Sequence, residues 1–205
     1  MLPSPPLLLI TDRSQAKGEL LAVAGAALAG GVRWISVREK DLPDEEQAAL
    51  AAGIRVLAAP FDALVTLHGS ADLAAHAAVD GVHLPAGADA AAARARLGKA
   101  ALVGQSIHSV EEATAADPAV LDYVVAGPAF ETASKPGYGP ALEEAGLARL
   151  VSACRVPLLA LGGIDASTLP RCKAAGVAGG AVMGGVMRAA DPEAEMRGLV
   201  EAWGV

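Results

Sequence analysis

The sequence predicts a single-domain α/β protein, a (β/α)₈ TIM barrel that spans residues 1–205. Eight short runs rich in Val, Ile and Leu alternate with eight Ala-rich stretches, an order typical of parallel strands joined by crossover helices. Eight is also the number of strands that closes such a barrel. The chain is 53% hydrophobic and is divided by no long Gly/Ser linker or charge block, so it can form one substantial core.

The main alternative fold is a doubly wound open sheet. That fold normally carries a Gly-rich phosphate or dinucleotide fingerprint directly after its first strand. The segment ITDRSQAKG at 10–18 follows the first predicted strand and contains no such fingerprint. We therefore expect the closed barrel.

Each predicted strand is a short apolar run of the kind expected for a strand that is buried on both faces. The strands are Leu7–Thr11, Trp34–Arg38, Ala63–Leu67, Gly81–Leu84, Ala101–Gln105, Tyr123–Ala126, Leu158–Leu161 and Gly179–Met183. The helices are Gln15–Ala29, Asp44–Ala59, Ser70–Ala78, Ala90–Leu97, Val110–Asp117, Leu142–Ala153, Ser167–Ala175 and Pro192–Trp203. Acidic residues at 44–45 suit a helix start, and glycines at 30–31, 98 and 176 stand where helices should stop.

Composition excludes several classes of protein. The formal net charge of −7, with no offsetting basic run, argues against a nucleic-acid binder. Cys154 and Cys172 make neither a disulfide framework nor a metal knuckle and fit buried thiols in a reducing compartment. The apolar run at the N-terminus has no basic region before it and is too short to span a membrane. We therefore expect a cytoplasmic protein that binds neither nucleic acid nor membrane.

Paired glycines follow the last two predicted strands. In a barrel the chemistry lies at the C-terminal ends of the strands, and glycines there let backbone amides approach an anion closely. A single pair would fit a tight turn, but two pairs at adjacent strand ends favour a phosphate site. The predicted phosphate-binding residues are Gly162, Gly163, Met183 and Gly184, and the expected ligand is a small organic phosphate.

A second set of polar residues predicts anion binding across the mouth. Arg38 and Lys40 end the second strand, and Lys135 is expected opposite them. Two basic groups that face one cavity favour a diphosphate or a carboxylate-bearing ligand, although such a cluster can also be a solvated surface run. Thr132 and Ser134 add hydroxyl donors, and these five residues form the predicted substrate-binding set.

Three of the four histidines fall at strand ends, where a proton carrier would be useful. His68 and His108 are the candidates for the mouth, whereas His83 lies inside a strand and is expected to fill the barrel interior. Ser106 and His108 come nearest to a nucleophile–base pair, but no third residue to orient them is evident. No His/Cys/Asp/Glu spacing indicates a zinc site, so no metal ligands are assigned.

Seven stretches of the chain, in order, resemble the thiamin phosphate synthase/TenI superfamily. They are ITDR (10–13), VREKD (37–41), DGVHL (80–84), GQSIHSVEEA (104–113), DYVVAGPAFETASKPGYG (122–139), PLLALGGI (157–164) and AVMGG (181–185). The resemblance implies the barrel fold and a thiazole phosphate as the ligand. It covers nearly the whole chain, and its motifs occupy the strand ends singled out above.

The superfamily has two branches with different chemistry. The synthase joins a hydroxymethylpyrimidine diphosphate to a thiazole phosphate with magnesium, and TenI proteins tautomerise a carboxythiazole phosphate without a metal. The synthase's metal-binding Asn-Asp pair corresponds here to His68-Gly69, its leading Gln to Ser36, and its second acidic position is displaced to Asp89. Because glycine offers no side-chain oxygen to magnesium, the resemblance implies the TenI branch, with no cofactor. Magnesium is expected only if the synthase alternative holds.

One position departs from the TenI pattern. Pro128 stands where TenI proteins have the histidine thought to shuttle the proton, so His108 or His68 would have to take that catalytic role. Two alternatives stay open: a thiamin phosphate synthase, and a non-catalytic regulatory protein that binds thiazole phosphate. Small barrels often dimerise, so a homodimer is also an open expectation.

Overall fold

The computed structural model describes residues 2–132 and 140–204. Its eight parallel strands pair in sequence order and close into a barrel, with β1 beside β8. The strands are β1 Leu7–Ile10, β2 Trp34–Val37, β3 Leu64–His68, β4 Gly81–Leu84, β5 Leu102–Ile107, β6 Tyr123–Ala126, β7 Leu158–Leu161 and β8 Gly179–Val182. The predicted (β/α)₈ fold is confirmed.

Helices follow the strands around the outside of the barrel. In the described part of the chain they are α1 Leu20–Ala29, α2 Asp44–Ala58, α3 Ala71–His76, α4 Ala90–Leu97, α5 Val110–Ala115, α6 Glu143–Ala153, α7 Leu169–Ala174, α8 Gly184–Met187 and α9 Pro192–Trp203. Side chains cap four of them, because Ser70, Asp89, Ser109 and Asp191 each accept a backbone N–H at the start of the helix that follows.

Strand side chains alternate between two apolar clusters. The larger cluster lies between the barrel and its helices. The smaller one fills the barrel interior and contains Leu8, Ile10, Trp34, Leu102, Tyr123, Val125, Leu159 and Ala181. Successive residues of a strand point to opposite faces, so residues two apart share the interior. Thr66 on β3 and His83 on β4 are buried polar residues, and they bring polar groups beneath the mouth of the barrel.

Several boundaries differ from the sequence prediction. Helix α1 begins at Leu20 rather than Gln15, since the Asp12 carboxylate accepts the Ser14 N–H and O–H and the Gln15 side-chain amide. Such local bonds compete with helix formation. Strand β5 extends to Ile107, and the four-residue helix α8 was not foreseen. Among the described residues, no helix has the length and apolar character needed to cross a bilayer.

Candidate active site at the mouth of the barrel

A cavity of about 510 Å³ opens at the C-terminal ends of the strands. Most of the sequence-predicted site residues line it: Arg38, Lys40, His68, His108, Thr132, Gly162, Gly163, Met183 and Gly184. Ser134 and Lys135 lie outside the described residues. The structure thus brings the glycine pairs and the basic cluster to one cavity, which is the default position for an active site in this fold.

The glycine side of the cavity is built from the ends of β7 and β8. Gly162 and Gly163 have φ of +99° and +64°, in the left-handed region that favours glycine. A Cβ on Gly163 would lie 2.6 Å from the carbonyl oxygen of Glu131. Met183 precedes α8, which begins at Gly184, and the first N–H groups of a helix have no partner within it. Backbone can therefore approach a ligand closely here.

The basic side of the cavity lies at the end of β2. The Arg38 N–H donates to the buried hydroxyl of Thr11 at 2.9 Å. Glu39, between the two basic residues, is buried, and its carboxylate accepts the Arg13 N–H at 3.0 Å. Side chains of neighbouring residues in an extended chain point to opposite sides. Arg38 and Lys40 therefore line the cavity, while the Glu39 carboxylate between them points away from it and is hydrogen-bonded to the protein.

His68 and His83 form a contacting pair beneath the basic side, with their ring planes tilted by 36°. They are register partners on β3 and β4, and their ring centroids are 4.5 Å apart. Burial lowers the pKa of His68 well below its ordinary value, and repulsion from His83, Arg38 and Lys40 adds to the effect. Burial, with Lys40 and Arg38, lowers the pKa of His83 to about 3. Both rings are therefore neutral near pH 7, and neither is poised to carry a proton there.

His83 also belongs to a hydrogen-bonded group that sequence reasoning missed. Its Nδ1 lies 3.2 Å from the Tyr123 hydroxyl, and its Nε2 lies 2.9 Å from Oγ of Ser106. Ser106 therefore pairs with His83 rather than with His108, and Tyr123 is the third residue that the sequence did not reveal. The sequence does show polar residues at alternate positions of apolar strands. It does not show the register between strands, which decides which of these residues are in contact.

His108 lies at the rim of the cavity, where it is exposed. Its backbone N–H donates to the Glu112 carboxylate at 2.5 Å, which anchors the turn between β5 and α5. The chain therefore keeps His108 near the mouth, but its predicted catalytic role stays untested by this geometry.

The described residues do not fit a magnesium site. His68-Gly69 and Pro85-Ala86 line the cavity where the family resemblance would require carboxylate and amide oxygens. The carboxylate of Asp89 accepts the Ala92 N–H at 2.9 Å as the cap of α4. Within residues 2–132 and 140–204, no group of three or more His, Cys, Asp and Glu residues could hold a metal ion.

Comparison with known proteins gives a consistent result. The family model described as thiamine monophosphate synthase matches residues 7–186. A Geobacter sulfurreducens protein named "Putative thiamine-phosphate synthase" is 41% identical over 196 residues, covering 95% of this chain and 92% of its own. The thiamine-phosphate synthase of Syntrophomonas wolfei is 34% identical, covering 96% and 95%. The solved thiamine phosphate pyrophosphorylase of Pyrococcus furiosus superposes with a TM-score of 0.84 at 30% identity, covering 96% of this chain and 94% of that one.

These relatives correct the sequence interpretation of function. The departures in the sequence predicted a TenI-type tautomerase. The relatives that match nearly the whole chain are instead named thiamine-phosphate synthase or thiamine phosphate pyrophosphorylase. The tautomerase assignment is therefore wrong, and enzyme status is supported. The tautomerase assignment rested on departures at a few positions at the mouth of the barrel. Sequence identity to the synthases over nearly the whole chain outweighs those departures.

Proposed function

Because the chain belongs to the thiamine monophosphate synthase family, we propose that it is a transferase that joins a pyrimidine diphosphate to a thiazole phosphate. In this reaction the bond from the pyrimidine's methylene carbon to the diphosphate oxygen breaks, and the carbon bonds to the thiazole nitrogen. The electron pair of the broken bond leaves with the diphosphate. The observation that carries the proposal is one cavity with a glycine-built side and a basic side.

The thiazole phosphate is assigned to the glycine side. Gly162 and Gly163 have the backbone conformation and close packing that only glycine tolerates well. The turn and the adjoining start of α8 at Gly184 expose backbone rather than side chain to the cavity, and amide N–H groups suit a phosphate. Met183 contributes its backbone at the same place.

The diphosphate is assigned to the basic side. Arg38 and Lys40 line the cavity and lie near enough to His83 to lower its pKa. A leaving diphosphate gains negative charge as its bond breaks, so fixed cations at that position favour departure. Thr132 also lines the cavity, and its hydroxyl is a donor for either ligand.

Synthases of the family use magnesium, but the side chains at the described part of the site do not fit that ion. The steps above therefore use only groups of the chain. His68 is buried and its pKa is lowered, so it is neutral near pH 7 and adds no positive charge to those of Arg38 and Lys40.

The direct test is incubation of the protein with hydroxymethylpyrimidine diphosphate and thiazole phosphate, with and without magnesium. We expect thiamine phosphate and inorganic pyrophosphate in equal amounts, identified by chromatography and ³¹P NMR. Absence of both products under either condition, with thiazole phosphate still bound, would instead support the non-catalytic binding protein.

A charge variant tests the basic side. Arg38→Met keeps an unbranched apolar stem but removes the charge, and we expect the KM for the pyrimidine diphosphate to rise by about 10- to 100-fold. Arg55→Met, on the exposed side of α2, is the matched control and should leave KM unchanged. An equal effect of both variants would remove Arg38 from the diphosphate site.

A further inference from the structure

A chain of buried polar groups runs through the barrel interior and ends at the cavity. The Trp34 indole N–H donates to Oγ1 of Thr66 at 3.3 Å, and the Thr66 hydroxyl lies close enough to the Tyr123 hydroxyl to oppose in part the rise in the phenol's pKa that burial causes. Tyr123 contacts Nδ1 of His83, whose Nε2 contacts Ser106. Trp34, Thr66 and Tyr123 are fully buried and His83 is nearly so, whereas Ser106 lines the cavity.

The direction of these bonds follows from the group at the far end. Indole nitrogen can only donate, so Thr66 accepts from Trp34 and has its own proton to give. Thr66 gives it to the Tyr123 oxygen, and Tyr123 gives its proton to Nδ1 of His83. A neutral imidazole has one N–H, and here that N–H is on Nε2 and donates to Ser106.

The opposite direction leaves a buried proton without an acceptor. If Nδ1 of His83 donated to Tyr123, the phenol proton would have to go to Thr66, which already accepts from Trp34. The Thr66 proton would then have no acceptor among the contacts of the described residues. An unpaired hydroxyl in a dry interior is costly, so the first arrangement is favoured.

We propose that Trp34, Thr66, Tyr123 and His83 are positioning residues that hold the Ser106 hydroxyl as a hydrogen-bond donor towards the ligand. Ser106 accepts from His83, so its own proton is left for a group in the cavity. Arg38 and Lys40 are close to His83, so the group beside Ser106 is expected to be an anionic oxygen. The inference uses the proposed function only to identify that oxygen as part of a diphosphate.

The tautomer of His83 is the first test, and it needs neither ligand nor activity. Imidazole ¹⁵N NMR of the histidine-labelled full chain near pH 7, with His83→Asn used for assignment, should show a protonated Nε2 and an unprotonated Nδ1. A protonated Nδ1 would overturn the proposal, whatever reaction the protein catalyses.

Isosteric variants test the consequence for binding. Tyr123→Phe and Thr66→Val remove a hydroxyl and keep the shape, and each should weaken binding of inorganic pyrophosphate by about 10- to 100-fold, as should Ser106→Ala. Thr66→Ser restores the donor and should restore affinity. In the Tyr123→Phe/Ser106→Ala double variant the losses should not add, because both changes remove the same donor.

A packing control separates this effect from general damage. Leu159→Val alters the same interior cluster without touching the hydrogen bonds, so it should lower the melting temperature and leave pyrophosphate affinity unchanged. Additive losses in the double variant, or an equal loss of affinity in Leu159→Val, would refute the positioning role. If the variants lose pyrophosphate affinity as expected but the wild-type protein forms no thiamine phosphate, only the proposed function would be refuted.

Discussion

Mild acid should destabilise this protein through its buried histidines. The pKa of His83 falls from 6.5 to about 3 on folding, chiefly through burial, so between these values the unfolded chain binds a proton that the folded chain does not. Stability therefore rises with pH across this range and is lost as pH falls below 6.5. The pKa of His68 is lowered for the same main reason and acts in the same direction.

The size of the effect follows from the shift. Each pH unit below 6.5 costs about 1.4 kcal/mol per histidine, so a change from about pH 7.5 to about pH 5 costs about 2 kcal/mol for His83. This is a sizeable share of a typical folding free energy of about 5–15 kcal/mol, and His68 adds to the loss in the same direction. The lowered pKa values of Asp12 and Asp41 act only as pH falls below about 4, outside this window.

The assay is urea unfolding followed by circular dichroism at several pH values between these limits. His83→Asn and His68→Asn lower stability at every pH, but each should reduce the loss between about pH 7.5 and about pH 5, His83→Asn by about 2 kcal/mol. His76→Asn removes an exposed histidine on α3 and should leave the wild-type loss unchanged. A wild-type unfolding free energy that stays constant over the window, or an unaltered pH loss in both buried variants, would refute the reasoning.

Two matched pairs of substitutions test the packing and the ion pairs through their effects on stability. A Cβ on Gly104 would lie 2.0 Å from the Tyr123 ring, so Gly104→Ala should lower the unfolding free energy by about 1–3 kcal/mol. Gly198 has open space around it in α9, so Gly198→Ala should raise the unfolding free energy by up to about 1 kcal/mol. Thermal melts that rank the two variants otherwise would contradict this. Asp122 accepts from the Val103 N–H and from its arginine partner on α4, so Asp122→Asn should lower the unfolding free energy by about 1–3 kcal/mol. Asp72 belongs to an exposed ion pair, so Asp72→Asn should lower it by less than about 1 kcal/mol. Equal urea midpoints for the two variants would argue against this difference.

The barrel and its strand ends could be predicted because each signal is local. A strand such as Leu158–Leu161 is a short apolar run, and the glycines that follow it mark the turn. The start of α1 was harder to predict because side-chain hydrogen bonds compete there with the helix. The Asp12 carboxylate accepts the Ser14 N–H, and α1 starts five residues later than the apolar pattern suggests.

The interior hydrogen-bond chain could not be predicted from the sequence. Trp34, Thr66, His83, Tyr123 and Ser106 belong to β2, β3, β4, β6 and β5, and a shift of one residue in any pairing would turn that side chain to the other face. The expected pairing of Ser106 with His108 followed from closeness in the chain, whereas register joined Ser106 to His83.

The scarcity of aromatic residues also gives the protein a built-in optical reporter. The chain has 2 tryptophans, and Trp34 lies in the barrel interior with its ring centroid 4.6 Å from that of Tyr123. Trp203 is at the end of α9, with Lys173 over its ring. In a Trp203→Phe protein, all tryptophan emission would therefore come from the group at the head of the hydrogen-bond chain. Its emission spectrum and lifetime would then follow rearrangements beneath the mouth without an added label.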